Sequence, residues 1–187
     1  LKNDKKYKKL MCYLLILIIT TISLFFIFRG NIVLKEGQDL TFHLNRFLGI
    51  ANCFEEGQIP PKIYPYANYG YGYATPLFYG DLFLYPFGIL YHFGVSAVVC
   101  YKLCLFVYTL LGNVFVYYIF NKETNDQKIS LIAVMLYCFA NYHLQNIYVR
   151  AALGEVLAMS FIPLVLYAIY KILVKNEVSW LLLGLSF

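Results

Sequence analysis

GQDLTFHLNRFLGIANCF, residues 37–54, is the stretch whose reading organises the rest of the chain. Wound as a helix, it aligns Leu40, Leu44, Phe47, Ala51 and Phe54 in one apolar stripe, with Asp39, His43 and Arg46 at i, i+4 and i+7 on the neighbouring flank. The spacing predicts an amphipathic helix over 38–56 that lies along a membrane surface. Such a helix would present an acid, an imidazole and a guanidinium together.

The surroundings of that stretch are hydrophobic. Of 187 residues, 61% are hydrophobic and 13% charged, about half the charge expected of a soluble domain. The apolar runs are apolar all round and not striped, which predicts an all-α, polytopic transmembrane helical protein. The net charge of +5 is therefore read by position. No basic patch interleaved with exposed aromatics points to nucleic acid, which is excluded as a partner.

Residues 1–9 carry Lys2, Lys5, Lys6, Lys8 and Lys9 and precede the apolar run 10–28, which predicts a first span with a cytoplasmic N-terminus. Phe28-Arg29-Gly30 is not a small-x-small cleavage site, which favours an uncleaved anchor over a signal peptide. Residues 29–97 read as a long extracytoplasmic loop, with the helix 38–56 closed by Gly57-Gln58-Ile59-Pro60-Pro61. The segment 76–94 is nearly long enough to span but holds Asp81, Pro86 and His92. Kept at the membrane surface, it leaves Lys122, Lys128, Lys171 and Lys175 on the side of the N-terminal lysines, as the positive-inside bias requires. Further spans are expected within 98–187, at about 98–120, 129–147 and 156–174, with a fifth from Ser179 cut short at Phe187. The chain thus reads as the N-terminal part of a longer protein in the cell membrane, its active face extracytoplasmic.

The five cysteines, Cys12, Cys53, Cys100, Cys104 and Cys138, read mostly as small hydrophobes in apolar runs. His43, His92 and His143 are far apart in sequence and would make a zinc site only if the fold gathered them. No Gly-x-Ser-x-Gly elbow, Walker loop or His-Glu-x-x-His helix signals soluble-enzyme chemistry.

Candidate functional residues lie on the outer side. Asp39 can cap its helix, and it can also accept a proton from a positioned hydroxyl. Arg150 can snorkel, or clamp a phosphate through its planar fork of donors; Glu155 can favour a helix N-terminus, or serve as a second acid. Asp81, inside an apolar segment, is costly unless it faces water, protein or an ion. Tyr71 and Tyr73, in Tyr64-Pro65-Tyr66-Ala67-Asn68-Tyr69-Gly70-Tyr71-Gly72-Tyr73, can stack on sugar rings or form an interfacial aromatic belt.

Three blocks carry a resemblance: Gly37 to Arg46, Gly70-Tyr71-Gly72-Tyr73 leading to Leu77-Phe78-Tyr79-Gly80-Asp81-Leu82, and Tyr148-Val149-Arg150-Ala151-Ala152-Leu153-Gly154-Glu155. Together they resemble a bacterial family of polytopic membrane proteins labelled 6-pyruvoyl-tetrahydropterin synthase-related and akin to YfhO-type proteins. The architecture is similar to that of GT-C glycosyltransferases, with a long first outer loop carrying juxtamembrane helices. The resemblance implies transfer of a sugar from a polyprenyl-phosphate donor to an envelope acceptor on the outer face, among membrane lipid. Asp39 would be the catalytic base and Arg150 the phosphate clamp. Glu155, in place of a more usual aspartate, would orient a donor group or a divalent metal, while His43 and Arg46 tune Asp39 and Asp81, Tyr71 and Tyr73 contact substrate. The alternative is a lipid or polymer transporter, or a non-catalytic envelope assembly protein, using the same groove.

Overall fold

A computed structural model describes residues 2–29, 37–177 and 184, and their regular structure is helical. The elements are α1 (Lys2–Ser23), α2 (Phe25–Arg29), α3 (Leu40–Glu55), α4 (Thr75–Phe78), α5 (Tyr85–His92), α6 (Ala97–Thr124), α7 (Gln127–Cys138), α8 (Asn141–Gln145) and α9 (Leu153–Lys175). Two helices among the described residues, α6 with 28 residues and α9 with 23, are long and apolar enough to cross a membrane. Both keep large apolar side chains exposed, among them Val99, Val107 and Phe120 on α6 and Ile162, Leu166 and Leu173 on α9. Water would not tolerate so wide an apolar surface without a covering partner.

This overturns the expected polytopic GT-C-like architecture. The run 10–28 is not one uninterrupted helix: Leu24 separates α1 from α2. Hydroxyls returned to the backbone, from Thr20 to the Ile16 carbonyl at 2.9 Å and from Ser23 to the Thr20 carbonyl at 2.8 Å, accompany the break. The expected span 129–147 divides as well. Its helix α7 stops after 12 residues. That is roughly 18 Å of helix, short of the roughly 30 Å of a hydrocarbon core. The chain then turns at Phe139 and Ala140 into α8 and a π-turn over Asn146–Arg150. The fifth span expected from Ser179 lies outside the described residues, apart from residue 184.

Packing contacts fix how the helices run. Tyr13 meets Tyr117, Thr20 meets Asn113 and Phe28 meets Phe106, so α1 and α2 descend α6 in antiparallel order. Gly112 of α6 lies against Ser160 of α9, and Glu123 receives hydrogen bonds from Tyr167 and Lys175, so these two helices are parallel. Lys122, Lys171 and Lys175 consequently gather at one end with the start of α7. At the other end stand α3, α5 and the Asn146–Glu155 turn, built around Phe47, Ile50, Leu84, Tyr101, Leu105 and Leu153.

Segment 76–94 contains no long helix: α4, a 3₁₀ turn over Leu82–Leu84 and α5 follow one another. Pro76 and Pro86 sit in the first turns of α4 and α5, where a missing amide proton costs nothing. The resulting hairpin of α3 and α5 is close, because a Cβ on Gly88 would lie 2.4 Å from Ile50.

Candidate functional site

The helix α3 starts and stops near its expected bounds, yet its polar flank faces inward. His43 and Arg46 are 4% and 2% exposed, as buried as Phe47 and Ile50 beside them. The sequence expectation of a surface helix presenting these two groups is not met: both are buried, Arg46 against a partner from the 76–94 segment. Asp81, 4% exposed, receives Arg46 Nε at 2.9 Å on Oδ1, and the same oxygen accepts from Nη2. Nη2 also donates to the Gly80 carbonyl at 3.0 Å. Tyr64 donates its hydroxyl to the other carboxylate oxygen, Oδ2. The rings of Phe42 and Tyr79 lie 5.8 and 5.6 Å from the guanidinium carbon. A buried charge is tolerated when it is paired, and Asp81 supplies that pairing here.

Two ionisations follow from this geometry. Burial, reinforced by the hydrogen bond to Asp81, pushes the Tyr64 hydroxyl well above its ordinary range and keeps it a donor. His43 is lowered to about 4, first by burial and then by the Arg46 guanidinium, so it is neutral at physiological pH. Its Nδ1 stands 3.4 Å from Arg46 Nη1. An unfolded chain would protonate this histidine near pH 6.5, so between pH 6.5 and about 4 the unfolded state binds more protons. Stability on this account is full above pH 6.5 and declines as pH falls through that window. Thermal unfolding followed from pH 7.5 to 4.5 should show a steeper decline for the native protein than for His43→Gln.

Asp39 belongs to a second group. Its backbone N–H donates to the Arg150 carbonyl at 3.0 Å, tying the start of α3 to the turn before α9. It occupies the N-cap position without a side-chain capping bond. Arg150 Nη1 donates to Glu155 at 2.6 Å and to the Asn146 side-chain carbonyl at 3.0 Å, and Tyr142 donates to the other Glu155 oxygen. The turn that holds this group is strained: Ala151, 1% exposed, has φ +53, a left-handed conformation unusual for alanine. Arg46 pairs with Asp81, and so the expected tuning of Asp39 by His43 and Arg46 has no direct contact behind it. Asp39, Arg150 and Glu155 do converge on one end of the molecule.

Tyr71, 90% exposed, stands clear of both groups. Tyr73 exchanges two backbone hydrogen bonds with Tyr64, at 2.9 and 3.1 Å, and so clamps the tyrosine-rich loop into a closed ring. Between that loop and α3 lies a cavity of about 570 Å³, floored by Tyr64 and bordered by Arg46. Gly49 makes the seat for Tyr64, since a Cβ there would lie 2.3 Å from its ring. Sequence reasoning passed over Gly49, Asn45 and Asn52. The available signal was the i, i+7 spacing of the two asparagines around a mid-helix glycine.

Among the described residues, no group of three or more histidine, cysteine, aspartate or glutamate side chains could hold a metal. The cysteines are all free and buried. His43 and His143 are each buried in separate elements, and His92 contacts Glu55 at 3.1 Å.

Comparison with known proteins found a relative in Lactococcus lactis subsp. cremoris (strain MG1363), an uncharacterized protein 31% identical over 181 residues. The match covers 95% of this chain but 29% of the relative, so the chain spans less than a third of that protein's length. No family model matches the chain. No solved structure matches it either.

Proposed function

We propose that this chain forms the membrane-boundary part of a larger protein that transfers a sugar from a lipid-phosphate carrier to a hydroxyl acceptor. The observation that carries the reading is the 3.0 Å hydrogen bond from Asp39 N–H to the Arg150 carbonyl, which ties the half-buried residue Asp39 to the turn that holds Arg150 and Glu155. In the reaction, Asp39 takes the acceptor's hydroxyl proton as that oxygen bonds to the anomeric carbon. The bond from the anomeric carbon to the phosphate oxygen breaks with its electron pair, and the departing phosphate is stabilised by Arg150. Glu155 holds the guanidinium in place. The gathering of Lys122, Lys171 and Lys175 at the opposite end supports an orientation with that end on the cytoplasmic side of the membrane and the Asp39 end outside.

A second reading is favoured by the 2.6 Å contact between Arg150 and Glu155, which leaves each partly satisfied by the other. In that case the turn holds a lipid phosphate without chemistry, as a transporter or envelope assembly protein would. Asp39→Asn in the full-length protein separates the two. Transfer from a polyprenyl-phosphate sugar should fall by at least about 100-fold while the protein stays in the membrane. Undiminished transfer would remove Asp39 from the mechanism.

A further inference from the structure

The cavity between α3 and the tyrosine-rich loop has a composition that the Asp39 group does not explain. Asn45 and Asn52 reach it from one face of α3, Asn68 from the loop, and Tyr66 and Tyr73 form its open edge. Thr75 lines it too, 3% exposed, with its hydroxyl lacking any hydrogen-bond partner among the described residues. A buried hydroxyl left unpaired is costly, and a ligand seated against this wall is the nearest source of a partner for it. The one charged side chain of the wall, Arg46, is paired with Asp81 through Nε and Nη2, and its Nη1 stands 3.4 Å from His43 Nδ1. The cavity therefore offers amide and hydroxyl groups in both donor and acceptor roles, flat aromatic faces at its mouth, and no cation free to meet a phosphate.

We propose that this cavity is a binding site for a neutral sugar ring, with Asn45, Asn52, Asn68 and Thr75 meeting its hydroxyls and Tyr66 and Tyr73 packing on its apolar face. A volume of about 570 Å³ is in the range of small-molecule sites. Sugar hydroxyls both donate and accept, which matches amides better than charged groups, and the C–H face of the ring matches an aromatic wall. The inference rests on the transferase reading for the role of that sugar. Because the cavity lacks a free cation, it takes the acceptor, and the phosphate-bearing donor belongs at Arg150.

The test uses the full-length protein in detergent, probed with an array of neutral glycans and matched glycans bearing uronate or phosphate groups. Binding to neutral glycans is expected, with Asn52→Leu and Thr75→Val each weakening it by about tenfold or more through a lost or unmatched hydrogen bond. Asn45 is exposed, so Asn45→Leu provides the same readout if Thr75→Val does not fold. If Asp39→Asn keeps both binding and transfer, the transfer reading falls and the sugar site stands. If the native protein binds no neutral glycan, prefers the acidic ones, or binds them equally well in the folded cavity variants, the site is overturned whatever Asp39 does.

Discussion

Arg46→Met should destabilise the α3–α5 end of the molecule by about 3–5 kcal/mol, the usual cost of leaving one partner of a buried ion pair uncompensated. Asp81 is 4% exposed, and in this variant its carboxylate would keep only the Tyr64 hydroxyl among its present side-chain donors. Hydrogen exchange should rise in α3 and α5 and much less in α6 near Lys122. The double variant Arg46→Met, Asp81→Leu should recover most of the loss, because replacing both charges with apolar groups removes the desolvation penalty along with the attraction. If Arg46→Met unfolds at the native temperature, the pair is not what secures this end. If the double variant is as unstable as the single one, it is the hydrogen bonds to Gly80 and Tyr64, and not charge balance, that matter.

Gly49→Ala should have the second largest effect, about 1–3 kcal/mol from overpacking. The added methyl would lie 2.3–2.6 Å from three ring atoms of Tyr64, which is 3% exposed and cannot turn aside without releasing Asp81. Alanine is the better helix former, so helix propensity works in the opposite direction and a net loss identifies packing as the cause. The loss should disappear in the Gly49→Ala, Tyr64→Ala background, where the methyl meets no ring. Thermal unfolding of the four proteins measures this coupling directly.

The helix at Leu40–Glu55 is legible in the sequence because its apolar stripe has the 3.6-residue period and its end is marked by Gly57 and two prolines. Its inward turn is not legible. The partner that makes burial of Arg46 tolerable is 35 residues away, and a periodicity read within one helix carries no information about it. The break at Phe139 and Ala140 is a different case. The run 129–147 is apolar only to Ala140; Asn141, His143, Gln145 and Asn146 follow at once, a polar patch beside the break that a reading by span length passes over. Asp39, Arg150 and Glu155 were singled out by residue type and then by resemblance. Their convergence depends on a backbone hydrogen bond, which no side-chain pattern encodes.

Asn113 donates to Thr20 at 2.9 Å and to the Cys138 sulfur at 3.3 Å, so one amide joins α1, α6 and α7. Thr20 and Asn113 are 93 residues apart, and a chain made from its N-terminus presents the threonine long before the asparagine exists. Thr20 can wait without an unmet polar group, because its hydroxyl already donates to the Ile16 carbonyl. Asn113 has no such local partner in its own helix and acquires its bonds only as α6 settles between α1 and α7. α1 thus carries its threonine without an unmet polar group, and the asparagine of α6 fixes the rotational setting at which the two helices meet.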